Sequence, residues 1–264
     1  MARSGLTNIR KLIDSVNKQL PPEQDFINDL KKSIQIDDEK EGRKPSKFYK
    51  PSSMNCIRNM YYTRIGKKPT DQSSDYVLWG ICNSGTDTHL RVQNAVAGMQ
   101  ANGMDCEWID VSKFIKQRGL DYLKVVSNPN DMETKMRHKT LNLSFMCDGL
   151  IKYKNHYYIL EIKTESANKW YSRQGVDPSH YMQATAYSVC LGLSEVLFVY
   201  INRDIFDFKP YLFNVTDDMK HQFVGLIDEC EGYVQKLTVP ARPEDVSKKA
   251  CEYCSYKTQC RRDG

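Results

Sequence analysis

The chain has 264 residues, 40% hydrophobic and 27% charged, and its 38 Lys and Arg against 33 Asp and Glu leave a net charge of +5. At roughly 150 residues per domain, that length fits one large domain or one domain with an appendage, and the composition excludes a disordered chain. The longest apolar run, Val196–Ile201, is far short of the ~18–20 residues that span a bilayer, and the opening MARSGLTNIRK has no signal-like apolar core, so a cytoplasmic place is expected. The mild basic excess permits a nucleic-acid partner without requiring one.

Leu6, Ile9, Leu12, Ile13, Val16 and Leu20 recur at helical spacing, and Phe26, Ile27, Leu30 and Ile34 repeat the pattern after Pro21-Pro22. Two amphipathic helices are predicted there. The stretch Asp37–Lys50 is charged and poor in aliphatic residues, which marks a linker. An N-terminal helical extension over 1–45 and a main domain over 46–264 follow from it. Ser52 and Ser53 are placed to cap a helix carrying Cys56, Ile57, Met60 and Tyr61, and another helical pattern runs from about Val77 to Met99. From Leu141 to Thr164 the sequence is β-rich and apolar on both sides of Lys154-Asn155-His156, the pattern of a hairpin. A helix at Ser179–Leu193, strands at Glu195–Asn202 and Pro210–Val215, and a long helix from Thr216 complete the order. The expected class is mixed α/β, a small central sheet flanked by helices.

Along the second hairpin strand, Tyr157, Ile159, Glu161 and Lys163 share one face, and Tyr158, Leu160 and Ile162 the other. A charged pair in so apolar a strand requires a partner, a metal or a substrate, because burying an unpaired charge is costly. Antiparallel pairing brings Asp148 toward Glu161, which offers hard oxygen ligands to Mg²⁺ or Mn²⁺ beside a lysine able to hold a water or a phosphate oxygen. A strand-edge salt bridge between Glu161 and Lys163 is the simpler alternative. Basic and aromatic residues further on, Lys169, Trp170, Tyr171 and Arg173, have the make-up of a strand-tracking, DNA-binding segment.

Nine cysteines without a secretory signal are expected as thiols or metal ligands. Cys82, Cys106, Cys147, Cys190 and Cys230 stand singly and are read as ordinary buried residues. Cys251, Cys254 and Cys260 group within ten residues as a metal site, of zinc or of an iron–sulfur cluster, with Cys56 as the candidate fourth ligand.

Asp148 with Glu161-Ile162-Lys163 resembles the motif of the PD-(D/E)xK nuclease superfamily, although Cys147 stands where that motif has its proline. Gly85-Thr86-Asp87-Thr88-His89 and Gln183-Ala184-Thr185-Ala186-Tyr187 resemble two further motifs of its RecB-like branch, in the same order. One cysteine ahead of these motifs and three behind them is similar to the iron–sulfur staple of AddB-type helicase-nucleases and CRISPR-associated adaptation nucleases. The resemblance covers about residues 50–264. It implies a restriction-endonuclease-like core and a 4Fe–4S cluster on Cys56, Cys251, Cys254 and Cys260. It also implies Mg²⁺ or Mn²⁺ on His89, Asp148, Glu161 and the Ile162 carbonyl, with Lys163, Gln183 and Tyr187 completing the catalytic set.

The activity so implied is a metal-dependent DNA exonuclease acting at ends or single strands in recombination, repair or replication, in a bacterial or phage-infected cell. A different class is a non-catalytic DNA-end-binding subunit of a recombination, replication or CRISPR adaptation complex. For either, the N-terminal helices offer a surface for a helicase, polymerase or recombination protein. No phosphate-binding GxxxxGK[ST] motif is present, so the chain is expected to act alone or with a separate motor.

Overall fold

In the computed structural model, residues 21–41, 45–71, 75–128, 132–244, 246 and 248–264 are described. The expected hairpin forms from β5 (Gly149–Tyr153) and β6 (His156–Glu165). Its turn is Lys154-Asn155, both at positive φ (46° and 68°), the backbone that matches strand twist in a two-residue hairpin. β7 (Glu195–Asn202) lies parallel to β6, β8 (Asp207–Asn214) antiparallel to β7, and β1 (Cys106–Trp108) antiparallel to β5. The strand order is β1-β5-β6-β7-β8. A parallel neighbour needs a crossover, supplied between β6 and β7 by α5 (Ala167–Ser172) and α6 (Tyr181–Leu191).

Alternation decides what each face of this sheet buries. Ile159, Val196, Phe198 and Tyr200 join Ala184, Tyr187 and Cys190 of α6, and Phe223 and Ile227 of α7 (Asp217–Lys236), in one core. Leu160, Ile162 and Ile201 join Ile151, Cys106 and Val92 of α3 (Tyr76–Ala97) in a second. Helices thus cover both faces of a small mixed sheet, as the sequence predicts. α7 begins where Thr216 accepts from the Met219 N–H, with Asp217 and Asp218 in its first turn, complementing the helix dipole.

A second, antiparallel sheet of β2 (Leu123–Ser127), β3 (Lys135–His138) and β4 (Leu143–Phe145) was not foreseen. Residues 48–50 run beside it, Tyr49 bridging to Leu143 in parallel. The apolar run from Leu141 is therefore two strands: β4 ends at Phe145, and β5 begins at Gly149 in the other sheet. A Cβ at Gly149 would meet the Trp108 ring at 2.5 Å, so only glycine starts β5 there without displacing it.

The described residues divide into two compact units. One contains α1 (Pro22–Glu41) and residues 75–82; the other contains residues 45–71 and 83 onward, with both sheets. The predicted helix over Leu6–Leu20 lies outside the described residues. Asp37–Glu41, expected as linker, is instead the last turn of α1, where Asp37 pairs with Lys40 at 2.9 Å. Ser52 and Ser53 sit in a short 3-10 turn, and Cys56 is the N-cap of α2 (Ile57–Arg64). α8 (Lys248–Glu252) and α9 (Lys257–Arg262) close the chain. Among the described residues, no helix is long and apolar enough to cross a membrane.

Candidate active site

The gap between β4 and β5 places Asp148 opposite β6. Its Oδ2 accepts from the Ile162 N–H at 2.6 Å, so the carboxylate satisfies a main-chain donor beyond the end of the β5 pairing. On β6, Glu161 Oε1 accepts from Lys163 Nζ at 2.6 Å. The same Nζ donates to Gln183 Oε1 at 2.9 Å, and Gln183 Nε2 donates to Tyr187 Oη at 2.7 Å. The i,i+4 spacing on α6 sets the last two on one face, and a continuous chain of side chains runs from sheet to helix.

Glu161 is 2% exposed, and its Oε2 is buried with no hydrogen-bond partner. Burial first, and the Asp148 charge second, push its carboxyl up to about 8 against the pull of Lys163. His89 Nδ1 lies 3.4 Å from Asp148 Oδ1. Burial pulls this imidazole down, but the Asp148 hydrogen bond and the two carboxylate charges raise it above its ordinary value.

Two further residues belong to this cluster, and neither is singled out by the sequence. Gln93, fully buried and one helical turn beyond His89, donates Nε2 to the Asp148 carbonyl at 2.7 Å and to Glu133 Oε1 at 3.4 Å. Burial and the Asp148 charge raise Glu133. The spacing from His89 to Gln93 was the one available signal; Glu133 carried none.

Among the described residues, no group of three or more His, Cys, Asp or Glu is already gathered in a form that could hold a metal ion. The donor set nevertheless fits a hard divalent cation. A buried carboxylate oxygen without a partner, a second carboxylate that raises its proton affinity and an adjacent imidazole are the donor types that a divalent cation would satisfy.

The segment 169–173 corrects the sequence reading. Trp170 is buried, its Nε1 donating to the Tyr200 carbonyl at 3.2 Å. Arg173, with a side chain 7% exposed, grips Glu165 through Nε (2.6 Å) and Nη2, reaches Asp177 at 3.3 Å and lies over the Tyr200 ring. Lys169 pairs with the same two carboxylates at 3.0 and 3.1 Å. Tyr171 is turned to solvent, and the Lys169 side chain is half-exposed. Trp170 and Arg173 hold the crossover to the sheet. Arg173→Ala is expected to cost about 2 kcal/mol of stability, because it removes the two-pronged partner of the buried Glu165 carboxylate and leaves it only the half-exposed Lys169. Urea unfolding checks this, and a shift within about 0.5 kcal/mol, usual for a surface substitution, would contradict it.

His180, at the N-terminus of α6, bonds the Tyr200 hydroxyl at 2.9 Å through Nδ1 and stacks on Phe198 and Tyr200. Burial first, then the Lys163 charge, lower it to about 4. The unfolded chain takes up this proton near pH 6.5 and the folded chain only near 4, so stability falls as pH drops through that window. His180→Gln is expected to flatten the profile of unfolding midpoint against pH between 6.5 and 4; an unchanged slope would refute the assignment.

Cys56, Cys251, Cys254 and Cys260 line one cavity of about 440 Å³, although among the described residues no three metal-ligating side chains are gathered so as to hold an ion. Protein donors already face the sulfurs. Cys254 Sγ accepts from the Tyr256 N–H at 3.4 Å and Asn59 Nδ2 at 3.6 Å, Cys260 Sγ from Arg58 at 3.4 Å, and Cys251 Sγ from Arg242 at 3.7 Å. Burial raises the Cys56 and Cys254 thiols, and neighbouring backbone N–H groups pull both back. Four cysteines on one cavity, with N–H donors at their sulfurs, are the ligand type of a Cys-bound metal site. Of the single cysteines, Cys106, Cys147, Cys190 and Cys230 are buried as expected, and Cys82 is exposed.

No family model matches the chain, and no curated protein matches it. Similar solved structures include the crystal structure of SSO0001, at 14% identity and a TM-score of 0.49 over 90% of this chain and 98% of that one. Others are an alkaline exonuclease, LHK-Exo, from Laribacter hongkongensis, and LHK-Exo in complex with dAMP. Each is 13% identical, with a TM-score of 0.41 over 73% of this chain and 92% of the other. At such distances function has to be read from this chain's own site.

Proposed function

We propose that the chain is a metal-dependent DNA exonuclease of the RecB-like PD-(D/E)xK type, hydrolysing phosphodiester bonds at DNA ends or single strands and carrying a 4Fe–4S cluster. The observation that carries this reading is Glu161: buried, with one oxygen on Lys163 and the other without a partner, beside Asp148. A surface salt bridge leaves no such oxygen.

His89, Asp148, Glu161 and the Ile162 carbonyl would hold Mg²⁺ or Mn²⁺. When bound, the ion polarises the scissile phosphate and lowers the pKa of the attacking water. Lys163, fixed between Glu161 and Gln183, directs an N–H toward the non-bridging oxygen on which charge accumulates as water adds to phosphorus. Tyr187 orients Gln183, which in turn orients the lysine. Gln93 holds the Asp148 main chain, so the carboxylate is aimed before substrate arrives. The four thiols would bind the cluster, joining α2 to the C-terminal segment as a structural tie.

The test is degradation of end-labelled single- and double-stranded DNA with Mn²⁺ or Mg²⁺. Metal-dependent shortening from the ends, lost in Asp148→Ala, is expected. DNA bound but left uncut with either metal would overturn the enzyme in favour of the DNA-end-binding subunit.

A further inference from the structure

The second sheet has two faces of opposite character. Met136, His138, Leu143 and Phe145 are buried on one side, as is Tyr49, paired with Leu143. The period of two then fixes the other side: Lys135 and Arg137 on β3, Ser144 opposite Arg137 on β4, and Phe48 and Lys50 flanking Tyr49. These residues line a groove of about 610 Å³ between residues 45–52 and the β3–β4 hairpin.

Three properties of the groove point to its ligand. Among the described residues, it is lined by three cations, Lys50, Lys135 and Arg137, and by no Asp or Glu. The Arg137 guanidinium lies over the Phe48 ring, 4.2 Å from its centroid, while its Nε is buried with no hydrogen-bond partner. Gln183 and Tyr187 also line it, so it comes within one hydrogen bond of Lys163. Repeated cations beside a ring that carries a guanidinium are suited to a polymer with phosphates at intervals and flat bases between them.

We propose that this groove is the channel along which a single DNA strand reaches the carboxylate site, with its phosphates on Lys50, Lys135 and Arg137 and a base stacked at Phe48. The direction of travel toward Lys163 rests on the nuclease reading above; the binding of the strand does not. In the segment 169–173, the stretch that looks most like a DNA contact in sequence, Trp170 and Arg173 are held inside the fold, and the channel takes that role with residues from two separated parts of the chain.

Binding of a fluorescein-labelled 20-nucleotide single strand is measured in EDTA by anisotropy over a salt series, so that cleavage plays no part. The double variant Lys135→Ala/Arg137→Ala is expected to weaken binding at least about tenfold and to flatten the slope of log K against log salt by about 0.7 for each cation removed. Arg137→Lys keeps the charge and is expected to recover most of the salt slope, which separates loss of contact from loss of fold. Lys116→Ala, on the exposed face of α4 (Val111–Gln117), is expected to bind like the unaltered chain. Unchanged affinity in a folded double variant overturns the channel, as does equally tight binding of a poly-glutamate peptide or a weakening confined to blunt duplex. If the strand binds through these residues but is never cut with either metal, the channel stands and the nuclease reading falls. If cutting persists while the variants bind normally, the reverse holds.

Discussion

Lys163→Met is expected to lower metal-dependent DNA cleavage by about two to three orders of magnitude, the usual loss when one donor to a developing oxyanion is removed. The lysine is held on both sides, by Glu161 Oε1 at 2.6 Å and Gln183 Oε1 at 2.9 Å, so its ammonium is aimed before substrate arrives. Methionine keeps the stem and removes the charge. A competing effect has to be separated from the loss of the donor. Lys163 also restrains the proton affinity of Glu161, whose carboxyl burial and Asp148 already push up to about 8. Without the lysine, Glu161 holds its proton more tightly and yields a carboxylate to metal less readily. Raising pH or Mn²⁺ should then recover metal binding, measured by titration, while cleavage at saturating metal stays low. Full recovery of cleavage would mean that Lys163 serves only to keep Glu161 ionised. Gln183→Ala should cost less, because it reaches the reaction only through the lysine.

What the sequence disclosed and what it hid follow from the range of the interactions involved. The face assignment of Glu161 and Lys163 needed only the two-residue period of a strand whose neighbours are apolar on both sides, and α7 declared itself through Thr216, two aspartates and a helical stripe. β2 gave no such signal: one buried leucine is followed by four exposed residues. Asp148 was found at the right place for an incomplete reason. A strand continuous from Leu141 would have paired it in a ladder, whereas the break after Phe145 frees its carboxylate to receive the Ile162 N–H. The composition of 169–173 misled because its partners Glu165, Asp177 and Tyr200 lie outside that pentapeptide, and charge read locally looks solvated. Lys50 and Arg137 share a groove only because Tyr49 pairs with Leu143, a long-range bridge invisible to any window.

Cys56→Ala is expected to strip the chain of iron and to cost about 5 kcal/mol, the chain-entropy value for opening a cross-linked loop of roughly 200 residues. Protein purified without oxygen should be brown, with about four irons per chain, and the variant colourless. The C-terminal segment has other attachments that oppose its release. Asp71 accepts from both the backbone and the hydroxyl of Thr258 at 2.7 Å, Tyr62 donates to Asp263 at 2.6 Å, and the buried Arg58 donates to the carbonyls of Cys260 and Gly264. At about 1 kcal/mol net for each bond, and somewhat more where charge assists, these match the cross-link in size. The segment should therefore remain docked in the native state of the variant while opening far more often. Limited proteolysis within 248–264 should quicken before the rest of the chain unfolds. A colourless unaltered protein with one zinc would rule out the cluster, and a variant that keeps four irons would remove Cys56 from its ligands. If iron is lost with no gain in protease sensitivity, the bonds around Arg58 and Asp71 are sufficient to hold the segment, and the cluster must serve something other than closure.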